Sequence, residues 1–120
     1  MKRLKGLRGA TQCLNEEGDI TTQVSALYDD LLNRNNLTED DIVSLIFSVT
    51  GDLTVKNPAA ALRQSGRASG LALFTAQEAV VENGLERVIR VLIHCYHEEG
   101  SQLNHVYRNG AEVLRPDRRA

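Results

Sequence analysis

The stretch RVIRVLIHCY, residues 87–96, sets Arg90 among Val88, Ile89, Val91, Leu92 and Ile93. These neighbours suit a pleated, buried surface. A guanidinium keeps its charge in such a setting, and burying it without a partner is costly. Arg90 therefore needs an anion, either a carboxylate of the chain or one that arrives from outside. Arg8 also falls inside an apolar strand pattern, Arg63 closes a short helix, and Arg115 precedes Pro116. One buried arginine usually reads as a structural ion pair. Several, in elements holding few carboxylates, suggest a pocket for a carboxylated small molecule, because the planar fork matches a carboxylate with two parallel hydrogen bonds. Glu78 is the nearby acid able to accept from a neutral hydroxyl, and it reads equally well as a partner for one of these arginines.

Other chemistries find less support. The chain has no G-x-S-x-G elbow, no P-loop, and no G-x-G-x-x-G following a strand. HCYH, residues 94–97, has the composition of a metal site, but His94 and Cys95 point to opposite faces of a strand and cannot share an ion. No metal is expected, and His94 reads as a core or interface residue. The net charge of −2 hides an asymmetry. Residues 16–41 hold eight acids and one base, Arg34, leaving 13 bases against 8 acids elsewhere. With two Phe, three Tyr and no Trp, and with its bases spread singly, the chain lacks the dense basic, aromatic face that nucleic acids require. Small anions suit it better.

The elements that must position these residues are legible as periodicities. Residues 2–11 alternate as a first strand, with Gly6 and Gly9 marking a bend or a close backbone approach. Ile20, Val24, Leu27, Tyr28 and Leu31 form one face of an acidic helix, capped by Asp19 and stopped at Asn35 and Asn36. A β-rich run at 42–50 is a central strand. Residues 57–66 are a short helix with Pro58 at its first position and Gly66 past its end. Further strands are expected at 71–76, around Arg90 and around Val106, with a turn of helix between Gln77 and Gly84. A tail is braked by Pro116, with 118–120 flexible. Alternating strands and helices argue an α/β or α+β domain, with one sheet and helices packed over it.

The 120 residues read as a single domain, 42% hydrophobic and 25% charged. No apolar run approaches the roughly 20 residues of a membrane helix, and the N-terminal residues do not resemble a secretory signal. Cys13 and Cys95 are expected as free thiols, in keeping with a cytoplasmic protein.

An ordered set of segments carries a resemblance: RGAT (8–11), SVTGDL (48–53), NPAAALR (57–63), QE (77–78), GLERVIRV (84–91), HVY (105–107) and AEVLRPD (111–117). Together they resemble the trimeric chorismate mutases of the AroH class, from about Arg3 to Asp117. The resemblance implies a mixed sheet with helices on its outer face, a homotrimeric pseudo-barrel, and active sites in the clefts between neighbours. It also implies rearrangement of chorismate to prephenate without nucleophile, metal or cofactor. By similarity, Arg90 would donate to the ether oxygen and to the side-chain carboxylate, which Arg8 and Tyr107 would also hold. Glu78 would accept from the ring hydroxyl, assisted by Thr75. Arg63 and Arg115 would lie near the ring carboxylate, with Leu114 covering the mouth of the site. Asn57 stands where better-known members carry an aromatic wall, Thr75 where cysteine is common, and Ala60 where some relatives use lysine. Two other readings fit a trimer with arginine-lined clefts: a non-catalytic module binding a small carboxylated ligand, and an imine-hydrolysing deaminase of similar architecture. HVYRNGAEVLRPD does not suggest the loop motifs of that deaminase family.

Overall fold

In the computed structural model, which describes residues 1–115, a five-stranded sheet carries two helices on one face. The tail expected from Pro116 onward, including 118–120, lies outside the described residues. In chain order the elements are β1 (Lys2–Gln12), α1 (Glu17–Arg34), β2 (Ile42–Val49), α2 (Pro58–Gln64), β3 (Ala72–Gln77), β4 (Val88–Glu98) and β5 (Val106–Arg108). Short 3-10 turns occupy Glu39–Asp41 and Ala111–Leu114. The strands lie side by side as β3-β2-β4-β1-β5. The two inner pairings, β2 with β4 and β4 with β1, are antiparallel; the two outer ones are parallel, so the sheet is mixed.

Alternation along the strands gives the sheet two different faces. Leu7, Leu45, Phe47, Ile89, Ile93 and Cys95 point to the covered side and are fully or almost fully buried. There they meet Ile20, Val24, Leu27, Tyr28 and Leu31 of α1, the face anticipated from helical spacing, together with Ala61 and Leu62 of α2. Gly9 explains how closely α1 approaches. A Cβ there would lie 2.9 Å from Leu31 Cδ1 and 3.1 Å from Leu27 Cδ1. Close approach, not a bend, is the role of that glycine.

Both ends of α1 depart in detail from the sequence expectation. Glu16, not Asp19, occupies the N-cap position and makes no side-chain cap. Asp19 lies within the first turn, where its Oδ2 accepts the Leu14 N–H at 2.7 Å, so it reaches back instead of capping forward. At the other end Asn35 closes the helix and Asn36 turns left-handed at φ 52°. Asn35 is 4% exposed; its Nδ2 donates to Leu31 O at 2.7 Å and Asn104 O at 3.0 Å, and its Oδ1 accepts the Asn104 N–H at 2.7 Å. This side chain ties α1 to the segment leading into β5. Asn35→Ala is expected to cost about 2 kcal/mol by orphaning those groups. The check is a lower urea midpoint at fixed protein concentration with unchanged denaturant slope.

The helical turn expected between Gln77 and Gly84 does not form. Residues 78–87 run as an irregular loop, with Val80 and Val81 exposed and Asn83 and Arg87 left-handed at φ 62° and 50°. Two β-branched valines without a core to cover lend a helix little support, and the Asn83–Gly84 pair turns the chain instead, with Gly84 N–H on Val81 O at 3.0 Å. α2 matches its signals: Pro58 at the first position, Asn57 as the cap accepting from Ala59 N–H at 2.9 Å, and Gly66 left-handed beyond the end.

Candidate active site

Strand register builds the site. Arg90 of β4 sits opposite Ala10 of β1 on one side and Ser48 of β2 on the other, and Ala10 in turn faces Tyr107 of β5. Residues opposite one another share a face, so Ser48, Arg90, Ala10 and Tyr107 form one row on the side away from the helices. The next row on that face holds Ile46, Leu92 and Arg8. Ala10 is fully buried, and its small side chain leaves space between the larger ones. The result is a cavity of about 300 Å³ lined by Arg8, Ala10, Ile46, Arg90, Tyr107 and Arg115, among others, a size suited to a small molecule. Arg90 also lines an adjoining hollow of about 830 Å³ with Glu78, Leu114, Asp52 and the 79–86 loop.

The question of which anion Arg90 requires has a partial answer inside the chain. Its Nε donates to Glu78 Oε1 at 3.0 Å, and Ser48 Oγ approaches the same oxygen at 3.5 Å. Glu78 is held in turn by its own N–H on Val49 O at 2.9 Å. Among the described residues, nothing bonds to the two terminal nitrogens of Arg90 or to Glu78 Oε2. The Arg8 guanidinium also takes no partner among them. A cation fixed by one nitrogen and, among the described residues, open at two, in a largely apolar hollow lined by a second cation, has the chemistry to pair with an anionic group. Because Arg90 and Glu78 are 43% and 22% exposed, their pairing adds little to stability.

The structure therefore brings together Arg8, Glu78, Arg90, Tyr107, Leu114 and Arg115. It does not bring Thr75, Asn57 and Arg63 to them within one chain. Thr75 stands opposite Phe47, which stands opposite Val91, so it belongs to the helix-side face. There its Oγ1 donates to Asn57 Oδ1 at 2.9 Å, and Arg63 lies exposed in the last turn of α2. Ser48, Ile46 and Ala10 were not anticipated as site residues. The signal was present in the two-residue alternation of β1 and β2, but it becomes usable only once their register with β4 is known.

The remaining candidates resolve as spacing suggested. His94 lies on the open face, with Nδ1 3.0 Å from Ser44 Oγ, while Cys95 is buried in the core on the other side. Both cysteines are free and buried. Burial pushes the Cys13 thiol up to about 11 and raises that of Cys95, which makes both poor nucleophiles at neutral pH.

Fold and pocket together define a small α+β protein with a basic, largely apolar cavity on the open face of a mixed sheet. The model of the chorismate mutase type I family matches residues 4–118, and the chain belongs to that family of enzymes. It is similar to chorismate mutase AroH of Bacillus subtilis (strain 168), 31% identical over 116 residues that cover 95% of this chain and 91% of the relative. The chorismate mutase AroH of Thermus thermophilus is 35% identical over 118 residues, covering 95% of each chain. A solved structure of chorismate mutase from Clostridium thermocellum matches with a TM-score of 0.84 at 38% identity, covering 92% of this chain and 99% of that one.

Proposed function

We propose that the pocket around Arg90 binds chorismate and converts it to prephenate, and that it does so by charge and positioning alone. The observation that carries this reading is the arrangement of Arg90, anchored through Nε by Glu78 with its terminal nitrogens uncommitted beside the Arg8 guanidinium. In the rearrangement the bond from ring carbon to ether oxygen breaks as a new carbon–carbon bond forms, and no proton need move. The chain can then help in two ways. A shaped pocket holds the compact, pseudo-diaxial conformer, which removes entropy from the barrier. A fixed donor meets the negative charge that grows on the ether oxygen, without having to reorganise.

In this reading Arg90 donates to the ether oxygen and the side-chain carboxylate, and Arg8 and Tyr107 hold the same carboxylate. Glu78 serves two purposes: Oε1 orients Arg90 while Oε2 accepts from the ring hydroxyl. Its roles as ion-pair partner and as ligand acceptor are thus compatible. Ala10, Ile46 and Leu92 supply the apolar wall. Leu114 covers the mouth, and Arg115 meets the ring carboxylate there. A rim charge acts on capture, so Arg115→Ala should raise KM roughly five- to tenfold while kcat stays within about twofold, measured by steady-state kinetics.

Thr75, Asn57 and Arg63 enter the site only from a second copy of the chain. Two features support a homotrimer with sites between subunits: these residues lie on the opposite face from Arg90, and the open face carries the exposed Leu4, Ile46, Phe74 and Tyr96. Asn57, whose Oδ1 already accepts from Ala59 and Thr75, offers such a cleft its amide nitrogen in place of an aromatic wall. We read the whole chain as one catalytic domain. Its free, buried thiols are in keeping with a cytoplasmic enzyme, and among the described residues no helix is long and apolar enough to cross a membrane.

The deciding experiment adds purified protein to chorismate and follows the loss of its absorbance, then converts the product to phenylpyruvate with acid. Unchanged absorbance would end the catalytic reading and leave a ligand-binding module. Sedimentation at three times the 13.3 kDa chain mass checks the assembly.

A further inference from the structure

β5 is a three-residue edge strand whose pairing with β1 spans only Gly9, Ala10 and Thr11. One residue before that pairing begins, the Arg8 backbone N–H donates to His105 Nδ1 at 2.9 Å. The imidazole extends the junction by one hydrogen bond. It ties the backbone of Arg8 to a residue two places before Tyr107. Other ties hold the same segment without touching Arg8: Asn104 N–H on Asn35 Oδ1 at 2.7 Å, Arg108 Nη1 on Thr11 Oγ1 at 3.5 Å, and Asn109 Nδ2 on Gln12 O at 2.8 Å. A strand this short is the sort of element that opens locally at small cost, and its spacing to β1 rests on few bonds.

We propose that His105 is a positioning residue that sets the spacing between Arg8 and Tyr107, and that it works in the tautomer with its proton on Nε2. The tautomer follows from the donor: a backbone N–H needs a lone pair, so Nδ1 carries no hydrogen. The consequence for activity rests on the assignment of Arg8 and Tyr107 to the side-chain carboxylate. That group is held alike before and during the rearrangement, so loosening its clamp acts on binding and shows in KM.

Three variants test this. Asparagine places an acceptor oxygen where Nδ1 stands, whereas glutamine carries its amide one bond farther out. His105→Ala and His105→Gln should each raise KM about tenfold with kcat within about twofold, and His105→Asn should return KM to within about twofold of the parent. Equal behaviour of the Asn and Gln variants, or an unchanged KM in His105→Ala, overturns the proposal, because a merely structural residue would lower the melting temperature without that pattern. The unmodified protein supplies a readout free of substrate. Its ¹⁵N spectrum should show Nδ1 unprotonated at neutral pH, with a slowly exchanging Arg8 amide; a proton on Nδ1 overturns the proposal. Arg8→Ala is the control. If it leaves KM unchanged, the carboxylate assignment falls and this inference with it. If it raises KM while the His105 pattern is missing, this inference alone falls.

Discussion

Replacing Arg90 by lysine is expected to lower kcat by roughly 100- to 1,000-fold, the usual loss when one well-aimed charged donor is removed from a developing oxyanion. Lysine keeps the positive charge and most of the apolar stem, so the comparison isolates geometry. Arg90 is anchored through Nε to Glu78 Oε1 at 3.0 Å, and its terminal nitrogens bond to nothing among the described residues. An ammonium is a single point: pairing with Glu78 uses the charge the substrate needs, and facing the substrate abandons the anchor. The fold should survive, since the pair is partly solvated and contributes no more than about 1 kcal/mol. Circular dichroism and sedimentation would verify that. Turnover close to the parent's in a folded Arg90→Lys enzyme would refute the electrostatic assignment.

Glu78→Ala should be the second most damaging change, lowering kcat/KM by about 100-fold. It releases Arg90 Nε and, on the proposed assignment, also removes the acceptor for the ring hydroxyl. Glu78→Gln separates the two contributions. Its amide oxygen can still accept from Nε or from a hydroxyl without the charge, so a milder loss of about tenfold is expected. Steady-state kinetics on both variants decides the matter. If the alanine variant matches the parent in kcat/KM, Glu78 is only a counter-ion, and the hydroxyl contact must be sought elsewhere.

Much of this architecture is written in local pattern. Ile20, Val24, Leu27, Tyr28 and Leu31 mark one helical face by spacing alone, and all of them are buried. Pro58 and Gly66 punctuate α2 as such residues do. Arg90 declares itself because its neighbours are apolar and its own charge cannot be neutralised. What local pattern could not supply is register. Thr75 and Ala76 differ by one position along β3, yet they lie on opposite faces of the sheet, and only the pairing with β2 and β4 says which shares a face with Arg90. Asp19 misled for a related reason: an acid near a helix start can cap forward or reach back, and the outcome depends on the path of the preceding chain. The 78–87 loop has helix-compatible residues but no core to fold against, and tertiary context overrides propensity there.

The row Ser48, Arg90, Ala10 and Tyr107 draws on four strands and on nearly the full span of the chain. No fragment shorter than residues 10–107 contains all four groups, so truncated chains ending before β5 should be inert even if they retain helices. Refolding experiments would see substrate turnover return only when the two ends of the polypeptide have met at β1 and β5. Turnover in such an experiment would therefore report the docking of β5 on β1, which helix content alone would not.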